Sequence, residues 1–534
     1  MIKNKTYYQA IGKEPIVAKN GMAATSHPIA TEVAIEVLRA GGNAMDAAVS
    51  ACAVQCVVEP QSTGIGGDCF AIFSPLGSTN YSAYNGSGRT PAAADPSWYR
   101  SQGITSILEQ SPHAVTIPGA VDAWDCLIRD HGRMKLAEIL EPAIKLAKNG
   151  YKILERVGRD FKHAEYYINP SSNAGKIFMP NGVLPEVGEI HQQPLLAKTL
   201  DIIASEGREG FYHGKIAEDL VTYLQSLGGL HTLEDFHNAS GNYINPISAE
   251  FNGYEVYQCP PNGQGIIALM LLKIMERFKN NNNSPLDPEL VHREIEAGKL
   301  AYHYRDLYLA DPDHTGVPVD EMLSHETITR LFKTIGNKAI QSLSEYELPN
   351  HEDTVYISVV DKERNCASFI NTLFMPFGSG LLEPNSGVLL HNRGCGFSMR
   401  RGHPNQIAGG KRPLHTIIPA MLAKNGRTIM PFGVMGGAYQ AFGHLQFLSR
   451  LINYNYDIQQ AMDIPRFFPN PITGEVEIEE EINPELIKQI KMRGHKVVLS
   501  SSPIGGSQAI WIDYKNGTLV GGSDPRKDGC AQGY

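Results

Sequence analysis

The residue pattern changes at Thr354, about two thirds of the way along a chain of 534 residues. Before Thr354, segments with helical periodicity prevail. From Thr354 onward, short runs rich in β-branched and aromatic residues alternate with Gly, Asn and Pro turns, as strands do. Chains beyond roughly 300 residues usually divide into domains, but this pattern separates no independent units. We predict an α+β layered architecture.

Individual segments carry clear helix and strand signals. HPIATEVAIEVLRAGG has Pro28 in its first turn and Gly41 at its end, which predicts a helix between them. NAMDAAVSACAVQCVVEP is apolar around most of its circumference, which indicates a helix buried on several sides. The other predicted helices are LAKTLDIIASEG, GKIAEDLVTYLQSLGG, GIIALMLLKIMERF and PELVHREIEAGKLAYHYRDLYLA. The predicted strands are CFAIFSP, TVYISVV, CASFIN, GVLLHN, TIMPFGVMGG and SQAIWIDY, and KNNNNSP predicts a surface loop.

The composition argues against two classes of partner. Lys and Arg number 47 against 56 Asp and Glu, a net charge of −9, and no basic block occurs, so we predict neither nucleic-acid nor membrane binding. The first residues lack the apolar core of a signal peptide, and the longest apolar run is shorter than the ~20 residues that span a bilayer. We therefore expect a cytoplasmic protein. The eight dispersed cysteines form no CxxC pair, which indicates reduced thiols.

The common cofactor and metal motifs are missing from the sequence. It contains no GxxxxGK[ST] phosphate loop, no GxGxxG dinucleotide fingerprint, no HExxH pair and no GxSxG nucleophile elbow. The 18 histidines are scattered, so a metal site would have to be assembled entirely by folding. We predict no cofactor and no metal, and we interpret most histidines as surface or satisfied core residues.

Thr354 allows two interpretations. In the first it opens a β-hairpin whose strands, Val355–Val360 and Cys366–Ile370, flank a polar turn, and threonine is common in strands. In the second the peptide bond before Thr354 is cut, which leaves one residue with both a hydroxyl nucleophile and an amine base. An α-amine has an unperturbed pKa of about 7.7–8.0, which suits proton transfer near neutral pH.

Ordered sequence blocks along nearly the whole chain favour the second interpretation. They include GMAATSHPIATEVAIEVLRAGGNAMDAAVSA, EPQSTGIGGDCF, YEVYQCPPNGQGI, TVYISVVDKERN, FGSGLLEPNSGVLLHN, GKRPLHTIIPAM, GVMGGAYQ and GGSDPRKDG. In these blocks the chain resembles the γ-glutamyltransferase family of N-terminal-nucleophile hydrolases. The resemblance implies a four-layer αββα sandwich of the N-terminal-nucleophile hydrolase type. It also implies a precursor cut into a large subunit, residues 1–353, and a small subunit, residues 354–534, which form one domain as an αβ heterodimer.

The resemblance implies roles for five residues. In the precursor, the Thr354 hydroxyl attacks the Asp353 carbonyl, the acyl group shifts from nitrogen to oxygen, and water hydrolyses the ester. In the mature enzyme the same hydroxyl attacks a substrate amide, with the freed amine as general base and acid. Thr372 matches the position whose hydroxyl orients that amine. Gly436 and Gly437 match the pair whose N–H groups bind the oxyanion, although such a pair also forms ordinary tight turns.

The chain departs from the γ-glutamyl pattern where the acyl group of the substrate is held. The arginine that binds the donor α-carboxylate in glutathione-cleaving members aligns with Ser87, and the nearest guanidinium is that of Arg89. LLHNRGCGFS aligns with the block that supplies an amide and an aspartate to the donor ammonium, and those positions are Arg393 and Gly396. A cation replaces ammonium ligands here, unless Arg393 pairs with an acidic residue for structural reasons.

Two further departures lie in the following segments. The serine pair that touches the α-carboxylate in the family reads His415 and Thr416 in KRPLHTIIPA. The segment between Phe397 and Lys411 is shorter than in members with a lid loop, which implies an open site. The candidate anion-binding residues are Arg89, Arg393, His415 and Thr416.

These departures favour a particular substrate. A pocket with added positive charge and no carboxylate for an ammonium suits an amide that bears a carboxylate and no α-amino group. Our leading hypothesis is an autoprocessed amidohydrolase for a small carboxylated amide, similar to the oxamate amidohydrolase branch of the family, with oxamate as the specific candidate. Two alternatives stay open: a glutathione hydrolase or γ-glutamyltransferase with rearranged donor contacts, and an unprocessed binding protein. The sequence does not decide the oligomeric state or whether an amine competes with water.

Overall fold

The computed structural model describes residues 14–279, 284–341 and 354–534. Its strands are β1 (Ile16–Ala18), β2 (Met22–Thr25), β3 (Asp68–Ser74), β4 (Ser82–Gly86), β5 (Tyr151–Lys152), β6 (Ile190–His191), β7 (Asn242–Ile244), β8 (Ile247–Phe251), β9 (Tyr254–Gln258), β10 (Val355–Val360), β11 (Cys366–Thr372), β12 (Ala420–Lys424), β13 (Arg427–Met435), β14 (Phe467–Pro469), β15 (Val476–Ile478), β16 (Val497–Leu499), β17 (Gly506–Asp513), β18 (Thr518–Ser523) and β19 (Cys530–Gly533).

The α-helices surround these strands. They are α1 (Pro28–Arg39), α2 (Ala44–Val58), α3 (Pro96–Ser101), α4 (Ala120–His131), α5 (Leu136–Asn149), α6 (Glu155–His163), α7 (Asn173–Phe178), α8 (Pro194–Glu206), α9 (Arg208–Tyr212), α10 (Lys215–Ser226), α11 (Leu233–His237), α12 (Gly265–Met275), α13 (Pro288–Tyr308), α14 (Val319–Met322), α15 (His325–Thr334), α16 (Tyr439–Asn453), α17 (Ile458–Asp463) and α18 (Pro484–Met492). Within the described ranges, no helix is long and apolar enough to cross a membrane.

Two seven-stranded antiparallel sheets form the centre of the molecule. One has the order β1-β18-β17-β13-β12-β9-β8, and the other has the order β19-β2-β10-β11-β3-β4-β7. Each sheet therefore combines strands that precede Thr354 in the chain with strands that follow it. The parts of the chain on the two sides of Thr354 share both sheets and one fold.

Apolar side chains fill three successive layers. In β3, Phe70 and Ile72 lie between the two sheets, whereas Ala71 and Phe73 pack toward α1, α2 and α4. This alternation follows from the two-residue period of a strand, and all four side chains are apolar because both faces of the sheet are covered. On the far side, α12, α13 and α16 pack against the other sheet. The layers confirm the predicted αββα sandwich.

The first two helices confirm the sequence interpretation in detail. The His27 side chain accepts a hydrogen bond from the Ile29 backbone N–H, and Pro28 occupies the first turn of α1. Asn43 and Asp46 form a reciprocal capping box at the start of α2. Every residue of α2 is buried, because this helix packs against α1, α5 and the sheet that contains β10.

Most of the other predicted elements are present, with one correction. The segment GVLLHN, predicted as a strand, forms only isolated bridges, from Leu389 to Leu382 and from Leu390 to Gly66. The Glu383 carboxylate accepts hydrogen bonds from the backbone N–H groups of Asn385 and Ser386. The chain therefore turns back on itself before a ladder can form. The predicted loop KNNNNSP lies largely outside the described residues.

All eight cysteines are free thiols, as predicted.

The layer between α2 and its sheet should contribute strongly to stability. Phe369 in β11 is fully buried there, and we expect Phe369→Ala to destabilise the protein by about 3–5 kcal/mol through lost burial and a residual cavity. Leu108 is 69% exposed, so the control Leu108→Ala should change the free energy by less than about 0.5 kcal/mol. Urea unfolding of the three proteins measures both values, and equal midpoints would contradict the expectation.

Candidate active site

Thr354, Thr372 and Asp68 lie side by side at one end of three neighbouring strands. The register of β10 and β11, continued by one residue, brings Thr354 opposite Thr372, and the register of β11 and β3 pairs Thr372 with Asp68. Directly opposed residues of antiparallel strands project from the same face of the sheet. The hydroxyl oxygens of Thr354 and Thr372 are 3.3 Å apart. Asp353, on the other side of the predicted cleavage site, lies outside the described residues.

Gly436 and Gly437 form the turn between β13 and α16. Their φ angles of 114° and 54° lie in the region that favours glycine, and a Cβ on Gly436 would approach Gly505 Cα to 2.9 Å. The Gly436 carbonyl accepts a hydrogen bond from Tyr439 N–H at 2.9 Å. Within the described parts of the chain, neither glycine N–H donates a hydrogen bond. The turn therefore offers two amide donors.

Gln264 connects this turn to the predicted anion-binding segment. Its Nε2 donates to the carbonyl oxygens of Gly437, at 3.0 Å, and Thr416, at 2.9 Å. The Thr416 hydroxyl in turn accepts a hydrogen bond from Arg393 Nη1 at 3.2 Å. The glycine turn, Thr416 and Arg393 therefore belong to one connected group of contacts.

Arg393 is a buried cation with unused donors. Its guanidinium lies 3.6 Å from the centre of the Phe374 ring, and the Phe374 backbone N–H donates to Thr372 Oγ1 at 2.9 Å. Nε and Nη2 of Arg393 are buried and have no hydrogen-bond partner among the described residues. Burial lowers the pKa of Arg393 to about 9, which leaves it charged at neutral pH. No described carboxylate lies within ion-pair distance of Arg393, so a direct structural ion pair finds no support, although the charge of the buried Asp68 carboxylate favours the ionised form of Arg393.

The sequence interpretation missed Asn392, which supplies a further donor. Asn392 Oδ1 accepts a hydrogen bond from Met375 N–H at 3.3 Å, while Asn392 Nδ2 is buried without a partner in the described structure. The signal was its place beside Arg393 in the block LLHNRGCGFS. Asn392 Nδ2 and Arg393 Nε and Nη2 are three buried donor atoms without a described partner. Buried donors are usually hydrogen-bonded, and a carboxylate is a suitable acceptor for them.

Asp68 is the second residue that the sequence interpretation missed. Its carboxylate accepts hydrogen bonds from Gly88 N–H at 2.9 Å and His415 Nε2 at 3.0 Å, and His391 Nδ1 lies 3.5 Å away. Burial opposes ionisation, but the contacts with His391 and His415 keep the pKa of Asp68 below its usual range. This carboxylate is engaged within the protein, so it does not offer a ready site for a substrate ammonium.

Two of the predicted anion-binding residues have other partners. His415 Nε2 faces Asp68, and its Nδ1 accepts Ile417 N–H at 3.4 Å, so both ring nitrogens are engaged. Arg89 forms ion pairs with Asp311 at 3.2 Å and Asp313 at 2.7 Å. These contacts compensate the charge of Arg89, so the predicted anion binding depends on Arg393 and Thr416.

One group of potential metal ligands occurs in the described residues. His292, Glu296 and His495 lie within metal-binding distance of one another and are buried. The ammonium of Lys299 is 2.9 Å from Glu296 Oε1 and 3.3 Å from His495 Nδ1. His292 and His495 also contact each other at 2.7 Å. Lys299 therefore supplies the positive charge that a metal would bring, and the geometry requires no ion.

The sequence as a whole matches a known protein family. A sequence profile described as Gamma-glutamyltranspeptidase matches residues 30–534. The chain belongs to the gamma-glutamyltranspeptidase family. One relative is the glutathione hydrolase-like YwrD proenzyme of Bacillus subtilis (strain 168). It is 34% identical to this protein, over 97% of this chain and 99% of its own length.

Two further similarities bear on fold and activity. Oxamate amidohydrolase proenzyme of Klebsiella pneumoniae is 31% identical over 97% of this chain and 99% of its own length. The crystal structure of cephalosporin acylase from Bacillus halodurans matches with a TM-score of 0.92 and 35% identity, over 100% of this chain and 99% of that one. These similarities confirm the predicted family, the N-terminal-nucleophile hydrolase fold and an enzyme of the class that hydrolyses C–N bonds.

The buried His415 should make the stability of this gamma-glutamyltranspeptidase family member depend on pH. Burial and the nearby Arg393 charge lower the pKa of His415 to about 3, below the unfolded value of about 6.5. The unfolded chain therefore binds a proton first, and stability is lost as pH falls below about 6.5, by about 1.4 kcal/mol per pH unit for this residue. Urea unfolding between pH 7 and pH 4 should show a shallower pH dependence for His415→Gln, and identical slopes would contradict this role.

Proposed function

We propose that this protein is an autoprocessed amide hydrolase that uses Thr354 as nucleophile on a small acyl amide bearing a carboxylate. The observation that carries the proposal is the buried guanidinium of Arg393, whose Nε and Nη2 have no partner among the described residues. A buried guanidinium with unused donors favours an anion as its ligand, because the charge of Asp68 and the Phe374 ring compensate only part of the cost of its burial. Phe374 joins this cation to the Thr354–Thr372 pair.

Self-cleavage would produce the reactive group. The Thr354 hydroxyl attacks the carbonyl carbon of Asp353, the C–N bond breaks, and the acyl group passes to the hydroxyl oxygen as an ester. Water then hydrolyses the ester, which leaves a carboxylate on Asp353 and an amine on Thr354. The word proenzyme in the names of both relatives supports a precursor.

Two subunits follow from this cut. Residues 1–353 become the large subunit and residues 354–534 become the small one. Because β10 pairs with β2, and β11 pairs with β3, the two pieces stay associated as an αβ heterodimer.

The same hydroxyl would then act on the substrate. The freed amine of Thr354 accepts the hydroxyl proton as the oxygen attacks the amide carbon, and it returns a proton to the leaving amine. The Thr372 hydroxyl, 3.3 Å from that of Thr354, helps to hold these groups in place. Water hydrolyses the resulting acyl-enzyme and releases the acid.

The glycine turn is suited to the developing oxyanion. The Gly436 carbonyl points toward Tyr439 N–H at 2.9 Å. In a trans peptide the C=O and N–H groups point in opposite directions, so the Gly437 N–H of the same peptide points away from α16. Preorganised N–H donors of this kind stabilise the transition state of acyl transfer.

Arg393, Asn392 and Thr416 would bind the substrate carboxylate. Arg393 supplies donors only, Asn392 Oδ1 is already engaged by Met375 N–H, and Asp68 is engaged by its own partners, so the group suits an anion better than an α-amino acid. A short acid amide such as oxamate fits this requirement, and one relative is named an oxamate amidohydrolase. Glutathione hydrolysis is the second candidate, favoured by the name of the Bacillus subtilis relative.

Intact mass under denaturing conditions tests the processing step. The wild-type protein should give two fragments that meet at Asp353 and Thr354, whereas Thr354→Ala should stay a single chain because it lacks the attacking hydroxyl. Thr199→Ala is a matched control, since Thr199 is a buried threonine whose hydroxyl donates to Ser386 O at 2.7 Å outside this site. It should be cut like the wild type. An uncut wild-type chain would favour the binding-protein alternative.

Substrate comparison tests the anion site. The processed enzyme should hydrolyse oxamate with a higher kcat/KM than glutathione. Arg393→Met should lower kcat/KM for oxamate about 10–100-fold, because hydrogen bonds to charged groups contribute about 1.5–3 kcal/mol. Ammonia release from oxamate and glutamate release from glutathione measure the two activities.

Arg450→Met is the matched control for this comparison. Arg450 is buried and donates to the carbonyl oxygens of Ile464 and Pro465, away from Thr354. It should retain the ratio of oxamate to glutathione hydrolysis. A clear preference of the wild-type enzyme for glutathione would select the second candidate, and an Arg393→Met enzyme with unchanged kinetics would remove the role of Arg393.

A further inference from the structure

Gln264 lies inside the site and uses its whole side-chain amide. It is fully buried, and its Nε2 donates to Thr416 O at 2.9 Å and to Gly437 O at 3.0 Å. Its Oε1 accepts a hydrogen bond from Arg305 Nη1 at 3.2 Å. Two carbonyl acceptors on one side and a guanidinium on the other leave only one orientation of the amide. None of the reaction steps described above requires these contacts.

The backbone around Gln264 is fixed to the same segment. The Gln264 N–H donates to His415 O at 2.8 Å, and His415 N–H donates to Asn262 O at 2.9 Å, so residues 262–264 run alongside His415 as a short parallel bridge. A Cβ on Gly265 would approach Cys259 O to 2.6 Å, which shows how tightly the chain turns into α12. Gln264 is therefore held at both its backbone and its side chain.

We propose that Gln264 is a positioning residue that fixes the distance between the glycine turn and the Arg393–Thr416 pair, and thereby selects the length of the acyl chain. The inference rests on the proposed function, in which Gly437 lies at the scissile carbonyl and Arg393 at the substrate carboxylate. The two N–H bonds of one planar amide diverge at a fixed angle, so their acceptors on Gly437 and Thr416 keep a fixed separation. Positioning of this kind is effective because small misplacements cost large factors in rate.

A series of donors that differ only in acyl length tests this inference. The mono-p-nitroanilides of oxalic, malonic, succinic and glutaric acids place the free carboxylate at increasing distances from the scissile carbonyl. The processed wild-type enzyme should prefer one length over its neighbours by about tenfold or more in kcat/KM. In Gln264→Leu this preference should fall to within about threefold, and kcat for the best donor should fall about 10²-fold, as when oxyanion donors are lost.

Two variants separate positioning from a general effect on folding. Gln264→Glu keeps the shape and the acceptor for Arg305 but cannot donate to either carbonyl, so it should lose the length preference as Gln264→Leu does. Gln193→Leu removes a buried glutamine that donates to Val57 O at 2.7 Å, away from Thr354, and should keep the preference. A length preference that survives in both Gln264 variants, with only the melting temperature lowered, would overturn the inference.

Failure of the proposed function has a different signature. In that case the wild-type enzyme releases no p-nitroaniline from any of the four donors. The role of Gln264 would then be judged from crystal structures of the wild type and Gln264→Leu. A Gly437 peptide that keeps its orientation and its distance from Thr416 in the variant would overturn the inference, and a displaced peptide would support it.

Discussion

The antiparallel pairing of β10, β11 and β3 is the constraint on which the site depends. It pairs Thr372 with Asp68 and, continued by one residue, brings Thr354 opposite Thr372, so residues from two distant parts of the chain share one face of one sheet. A shift of one residue in either register would turn these side chains to the opposite face. The packing of β3 opposes such a shift, because its alternate side chains fill two different close-packed layers. Core packing thus fixes the geometry of the reactive end.

Charge is distributed unevenly around Thr354, Thr372 and Asp68. Asp68 is surrounded by donors from Gly88 and His415, whereas Arg393 retains two donor atoms without a partner in the described structure. The Asp68 carboxylate is therefore engaged within the protein, whereas the donors of Arg393 are available to an anion under the proposed function. Under the proposed function, this difference would favour a substrate with a carboxylate over one with an ammonium, because electrostatic interactions are strong in the low dielectric of a buried site.

Much of the fold was predictable from local patterns, and part of the site was not. The signals for α1, α2, β10 and β11 are local, and their interpretation is confirmed. The family blocks pointed to Thr354, Thr372 and the glycine pair, whose roles stay predictions. Asp68 was missed because its histidine partners, His391 and His415, lie more than 300 residues away in the chain. The sequence could flag Arg393 as a cation, but only the folded chain reveals that Arg89 forms ion pairs with acidic residues while Arg393 keeps two donor atoms without a hydrogen-bond partner among the described residues.

The two sheets combine strands from both sides of Thr354, and this affects how the protein can refold after the proposed cut. In an uncut chain, all strands of both sheets are joined by covalent connections, so their assembly is a unimolecular reaction. After the proposed cut, the same sheets contain strands from two separate polypeptides, and reassembly from the unfolded state becomes bimolecular. Loss of structure would then be reversed slowly or not at all at low concentration. The mature form would persist through its barrier to unfolding, and the precursor alone would carry the information needed to build it.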